Sequence, residues 1–217
     1  MKYAVCEKGR SMVEMMGYLM VVMSVIAIVG RIVAHAFDEH NYSKASVQLS
    51  ELVGAIAKAA AIETDYSDVV GMINGTYNSG TSEENTLKNA QGLKLIPSSF
   101  RVEINSGERK FYHAFGGEVK VSLPPSAIGG TDKFAVEFKG LKRNQCVELA
   151  MKDWRQNKFA DLYSVIVNSN NYWYWPVYKQ VNDNILPVTR AKLTGTGNVG
   201  SGQCSAASGN TVMWVFN

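Results

Sequence analysis

The chain has 217 residues, 46% of them hydrophobic and 19% charged, which is enough for one domain of ordinary size plus an extra segment. Its formal charge is only +3, and the 22 Lys and Arg residues are scattered rather than clustered, so electrostatics calls for no nucleic-acid partner and names no ligand. Composition places the chain among globular proteins, and its organisation has to be read from the pattern of residues.

Apolar residues are unevenly spread. Met12 to Gly30 contains a single charge, Glu14, whereas everything from Asp38 onward is mixed. As a helix, those nineteen positions span roughly 28 Å, close to the roughly 30 Å thickness of bilayer hydrocarbon, so the segment can cross a membrane once. Lys2, Lys8 and Arg10 precede it while Arg31, Asp38 and Glu39 follow. The positive-inside rule then leaves the N-terminus in the cytoplasm and the bulk of the chain outside. A carboxylate within such a span is costly and persists mainly where function supplies a partner. A competing expectation is cleavage after Ala34-His35-Ala36, a small-residue site of the secretory kind, which would release a soluble domain starting at Phe37. Against it, the apolar run exceeds the usual h-region and Arg31 interrupts the approach. Ala4-Val5-Cys6 is a poor lipoprotein signal, since no hydrophobic segment precedes Cys6.

Next along the chain, His35, Asp38, Glu39 and His40 invite a metal reading, but their spacing does not match the helical zinc motif. They read instead as a solvated helix surface just outside the membrane. From Ser43 to Glu63, Ala45, Leu49, Leu52, Val53, Ile56 and Ala60 recur at helical spacing, with Lys44, Gln48, Glu51 and Lys58 among the intervening polar positions. No proline precedes Pro97. One helix is therefore expected from about Ser11 to Glu63, ~75 Å long, apolar all round in its first half and one-sided in its second. Its first half is too long to bury in a domain of this size and must find lipid or other copies of itself.

Thr64 to Gly92 is rich in Gly, Asn, Ser and Thr and reads as a long connecting loop. Arg101–Ile104, Lys110–Phe115, Glu118–Leu123 and Phe134–Phe138 are short, rich in β-branched and aromatic residues, and separated by turn signals, as antiparallel strands are. Leu141–Trp154 is expected to be a helix, with Leu162–Val167, Tyr172–Val181 and Thr211–Phe216 as strands. Tyr172, Trp173, Tyr174 and Trp175 form an aromatic run; in a strand, half would face the core and half would face outward. Core and subunit interface is the plainer reading, and a face that stacks on sugars or bases is the sharper one. Thr194 to Asn210 is a Gly/Ser/Thr-rich loop that needs Cys204 to tie it down. The remaining histidine, His113, falls in a predicted strand with no nucleophile motif or Gly-rich phosphate loop beside it, so no catalytic residue, cofactor or metal ligand is assigned.

Three cysteines leave one thiol over in an exported protein. If Cys6 is cut away, Cys146 and Cys204 remain, either as two free thiols or as a bridge worth ~4 kcal/mol on the chain-entropy model.

Lys8-Gly9-Arg10-Ser11-Met12-Val13-Glu14 followed by the apolar run resembles the processing signature of type IV pilin precursors: a basic residue and Gly, a cut, then Glu as the fifth residue of the mature chain. The resemblance implies cleavage between Gly9 and Arg10 by a prepilin peptidase, methylation of the new α-amine on Arg10, and use of Glu14 to neutralise the amine of a neighbouring subunit. Phe134-Ala135-Val136-Glu137-Phe138-Lys139-Gly140-Leu141-Lys142-Arg143-Asn144-Gln145-Cys146 is similar to the type IVb segment in which a strand passes through a Gly-Leu turn into a helix bearing the first disulfide Cys, with Cys204 as its partner. Three features depart from the family pattern. The leader is only nine residues, Arg10 replaces an apolar or aromatic residue, and the proline often found partway down the helix is absent.

The fold implied is α+β, a long N-terminal helix packed on an antiparallel sheet with a disulfide-bounded C-terminal region. The expected divisions are a leader at 1–9, a membrane and filament-core helix at 10–33, its amphipathic continuation at 34–63 and a globular head at 64–217. The implied partners are further pilin subunits, the peptidase, an assembly ATPase, a platform protein and the bacterial inner membrane, with the extracellular filament as destination. Competing roles are a minor pilin or type II secretion pseudopilin and, from another class, a secreted or anchored carbohydrate- or DNA-binding domain.

Overall fold

The computed structural model describes residues 12–62, 66–105, 108–124, 130–154, 160–168, 178–179, 188–194 and 203–217. The chain divides between Asn41 and Tyr42 into two compact units, and helix α1 (Met12–Ala60) contributes to both. In the first unit α1 carries apolar residues on every side, and almost every side chain from Met12 to Phe37 is exposed.

In the second unit the same helix becomes one-sided. Ala45, Leu49, Leu52, Val53 and Ile56 are fully buried, as the three-and-four spacing requires of a core-facing stripe. Gln48 is buried with them, although its polarity suggests an outward position. Its amide explains the difference. Nε2 donates to the Ser99 carbonyl at 2.6 Å, and Oε1 accepts from the Ala114 N–H at 2.8 Å, so both ends of the group are satisfied and two loops are tied to α1.

Among the described residues the sheet has seven antiparallel strands: β1 (Arg101–Asn105), β2 (Glu108–Tyr112), β3 (Glu118–Ser122), β4 (Phe134–Leu141), β5 (Leu162–Val167), β6 (Tyr178–Lys179) and β7 (Asn210–Phe216), in the order β1-β2-β3-β4-β7-β5-β6. The last strand is therefore internal, between β4 and β5. Alternation sends Phe134, Val136, Phe138, Val212, Trp214 and Phe216 into the main core shared with α1, while Ala135, Ile166, Met213 and Val215 form a smaller buried cluster on the opposite face. The β4–β7 pairing shifts register between Phe138 and Leu141, where Gly140 takes a φ of 75° that favours glycine.

The segment expected to be a loop, Thr64 to Gly92, instead contains helix α2 (Tyr66–Asn74) and most of helix α3 (Ser82–Leu95). Val69, Val70, Met72 and Ile73 bury α2, and Thr81 caps α3 by accepting from the Glu84 N–H at 3.3 Å. Arg109 on β2 then fastens both helices to the sheet. Its guanidinium donates to the Met72 carbonyl at 2.7 Å and the Ile73 carbonyl at 3.3 Å, at the C-terminal end of α2, and also to the Asn89 carbonyl of α3. Asn74 Nδ2 adds a bond to the Val121 carbonyl at 2.9 Å. Turn-forming residues thus serve caps and ties here rather than a structureless connection.

Smaller differences follow the same logic. The strand expected at Lys110–Phe115 ends at Tyr112, and His113 lies beyond it in a turn closed by a Gly116 N–H to His113 carbonyl bond of 2.8 Å. The expected Leu141–Trp154 helix is α4 (Arg143–Met151), because Leu141 completes β4 and Gln145 Oε1 caps the Lys142 N–H at 2.9 Å. Helix α5 (Arg190–Thr194) is a further short element, and Asn210 begins β7 instead of ending a loop. Of the expected Tyr172–Val181 strand, Tyr178–Lys179 pairs with β5, and the rest lies outside the described residues.

Cys146 on α4 is bonded to Cys204, with Cα atoms 5.8 Å apart across 58 residues. A second tie lies alongside. Asn168, with φ of 53°, accepts from the Thr211 N–H at 2.7 Å and donates to Asn210 Oδ1 at 2.8 Å and to the Gln203 carbonyl. The fully buried Asn210 donates in turn to the Leu141 and Ala206 carbonyls at 3.0 and 2.8 Å. The bridge and these two amides together fix the chain entering β7.

Two predictions follow for the full chain in detergent. Gly92 on α3 faces the α2 backbone so closely that an added Cβ would lie 1.9 Å from the Met72 carbonyl oxygen. Helix propensity alone favours Gly92→Ala by about 1 kcal/mol, whereas overpacking costs ~1–3 kcal/mol. With no side chain able to move aside, the clash wins; the variant should unfold at lower denaturant, and a rise in midpoint would rule the close approach out.

The second concerns His113, buried and stacked on Phe138 with ring centroids 4.8 Å apart. Nδ1 accepts from the Phe115 N–H at 3.2 Å, which leaves Nε2–H to donate to the Lys139 carbonyl at 2.8 Å and makes the neutral ring the one that fits. Burial pushes its pKa below the ordinary value of 6.5. The unfolded chain then takes the proton first, so stability is lost as pH falls below about 6.5. Glu137 has the opposite sign, since burial raises its carboxyl pKa and the folded state keeps that proton to higher pH. Thermal midpoints from pH 7.5 to 5 should therefore fall less steeply for His113→Gln than for the parent; equal slopes would remove His113 as a source.

Candidate functional site

The candidate site is a surface of the N-terminal helix rather than a cleft. Glu14 lies in the first turn of α1 and is exposed, with Met12, Val13, Met15, Met16 and Tyr18 exposed around it. Within α1 one window is long and apolar enough to cross a membrane, and none of that window is buried in the fold. Few polar side chains interrupt the apolar surface, and one of them is satisfied within the helix itself. Ser24 Oγ donates back to the Met20 carbonyl at 2.8 Å. Gly17 and Gly30 are equally telling, because a Cβ built at either would meet nothing within 4 Å in this chain.

The other predicted positions are dispersed. Gly9, Arg10 and Cys6 precede the described residues, and Tyr172, Trp173, Tyr174 and Trp175 also lie outside them. His35 Nδ1 lies 3.9 Å from Glu39 Oε1 with both side chains 75% exposed, a weak surface contact. Among the described residues no three His, Cys, Asp or Glu side chains gather in a way that could hold a metal ion. His113 is spent on the core contacts above. Cys146 and Cys204 are fully buried and bonded to one another.

Sequence reasoning missed one feature of the surface. Between the second half of α1 and the α2–α3 pair runs a groove of about 930 Å³, lined on one side by Gly54, Ala55 and Lys58 and on the other by Met72, Lys88 and Lys94. It went unread because one wall fell in the segment taken for a loop. The helix-cap pattern Thr81-Ser82-Glu83-Glu84 was the signal that would have revealed it.

Three comparisons with known proteins bear on the chain. No curated protein sequence matches the chain. Among solved structures, it is similar to the crystal structure of a type IV b pilin from Salmonella typhi, at 16% identity and a TM-score of 0.40, over 79% of this chain and 97% of that one. The family model PilS, described as PilS N terminal, matches residues 57–217, well over half of the sequence. Since that match runs from the last turn of α1 through the internal strand β7, the chain belongs to the PilS family of type IV pilins.

Proposed function

We infer that the chain is the structural subunit of a type IV pilus, made as a precursor in the bacterial inner membrane and polymerised through α1 into an extracellular filament. The carrying observation is the exposed apolar helix with Glu14 as the lone charge from Met12 to Gly30. Residues 1–9 are the leader, 10–33 the membrane and filament-core helix, 34–63 its amphipathic continuation and 64–217 the head. A prepilin peptidase cuts between Gly9 and Arg10 and the new amine is methylated; an assembly ATPase and a platform protein then move subunits out of the bilayer.

The driving force is exchange of lipid contacts for helix contacts, where tight packing rather than exclusion of water favours association. Gly17 and Gly30, which relieve no contact within the chain, let neighbouring backbones approach. Glu14 costs about 2.5–3.5 kcal/mol at membrane depth on insertion scales, and pairing with the Arg10 amine of a neighbour offsets that cost in a low-dielectric surround. The role is structural, and no chemistry is assigned to the head.

Two measurements check this reading. N-terminal sequencing or intact mass of the mature protein should place its start at a methylated Arg10; a start at Phe37 would mean a released soluble domain and end the filament reading. Glu14→Ala, expressed as the only pilin, should accumulate as processed subunit in the membrane with few or no filaments, because the helix still inserts but has lost its partner. Normal filament yield from that strain would remove Glu14 from assembly.

A further inference from the structure

Between Met12 and Asn41 the charged side chains of α1 are Glu14, Arg31, Asp38 and Glu39. Arg31 and Asp38 are both exposed, and among the described residues neither has an ion-pair or hydrogen-bond partner. Apolar side chains surround Arg31, with Ile28, Ile32 and Val33 exposed beside it. Any packing that covers those side chains withdraws Arg31 from water, where an unpaired charge is costly, so the guanidinium calls for a carboxylate. Of the three on this stretch, Glu14 is assigned above to a neighbour's amine and Glu39 lies beside His35, which leaves Asp38.

Seven-residue steps define the face on which the two charges lie. Gly17, Ser24, Arg31 and Asp38 follow one another at that interval on one side of α1, and from Met12 to Asn41 theirs is the one such line with no apolar side chain. Polar positions on a membrane helix turn toward protein rather than lipid, and copies of α1 supply that protein. We propose that Arg31 of one subunit pairs with Asp38 of a second copy of this chain, the two helices lying parallel and displaced by two turns, roughly 10 Å, along their axes. The copy that gives Arg31 is the one further out of the membrane. The same sense of displacement brings its Arg10 amine toward Glu14 of the lower copy, four residues or roughly 6 Å away at helical rise, a difference within the reach of the long side chains. Unshifted parallel copies would instead set like charges level with one another, which costs energy. This deepens the filament reading and rests on it, since that reading supplies copies of α1 in one orientation. Each copy gives its cation to one neighbour and its carboxylate to another, so around a common axis the contact propagates instead of closing a dimer.

The test is made on cells expressing one pilin variant at a time. Arg31→Glu should lower filament yield by about tenfold or more, as loss of a charge partner at an interface does, with processed subunit in the membrane unchanged. Asp38→Arg in the same chain should restore the yield. Arg31→Cys combined with Asp38→Cys removes both charges together, and its filaments, treated with a bis-maleimide about as long as an Arg–Asp pair, should give a ladder of cross-linked oligomers extending beyond the dimer. Either cysteine alone should give none; dimers from a single cysteine would mean unshifted copies and overturn the proposed displacement. Arg31→Glu filaments at parental yield, or failure of Asp38→Arg to restore a lowered one, would overturn the pair and leave the filament reading standing. Rescue by Glu39→Arg instead of Asp38→Arg would move the partner to the adjacent carboxylate and overturn Asp38. Absence of filaments from the parent would overturn both readings.

Discussion

An α-helix that is apolar on every side has no stable place in water, and the organisation of this chain follows from that constraint. Beyond its first turn, the backbone groups of α1 as far as residue 41 are satisfied within the helix, so it is the side chains that need an apolar surround, which lipid or other helices can supply. The same helix cannot remain apolar all round where it meets the head. From Ala45 to Ile56 the apolar residues narrow to a stripe, and the opposite surface carries Lys44, Glu51 and Lys58. One continuous element thus passes from a membrane pattern to a globular one with no break in helical structure.

The head meets α1 through polar ties as well as core packing. Apolar contact alone would let a helix slide or rotate by a turn on the sheet, because dispersion and burial are nearly direction-free. Gln48 removes that freedom by bonding both Ser99 and Ala114, one on each side of the β1–β2 hairpin. Arg109 does the same for α2 and α3. Both ends of the Gln48 amide have partners, so these bonds specify a docking arrangement without leaving that buried group unpaired.

Much of this architecture was legible in the sequence, and the misses have identifiable causes. Long-range periodicity revealed α1, and the strands β1, β3, β4, β5 and β7 showed through their apolar alternation and flanking turn residues. Periodicity failed for α2 and α3. Their apolar residues are few, Gly71 and Gly92 sit inside them, and Asn74 and Asn89 look like turn residues until their bonds to the Val121 carbonyl and to the Tyr77 backbone are seen. Gln48 was unreadable for a related reason, since its polarity gives no hint of the two loops that satisfy it. The pattern around Glu14 is local and can be read without a tertiary partner, whereas the groove depends on helices far apart in sequence.

The position of β7 explains why the C-terminal region carries both a disulfide and an amide network. A strand at a sheet's edge can fray with little loss, but β7 pairs with β4 on one side and β5 on the other, and Trp214 and Phe216 are fully buried. The sheet is therefore incomplete until the last residues of the chain arrive. Closing that long loop costs entropy that grows slowly with length, and a bridge from Cys146 to Cys204 removes part of the cost from the unfolded chain. Asn168 and Asn210 act on the folded side, holding the approach to β7 against the ends of β5 and β4. The final strand is thus secured in two independent ways, one acting on the unfolded chain and one on the folded.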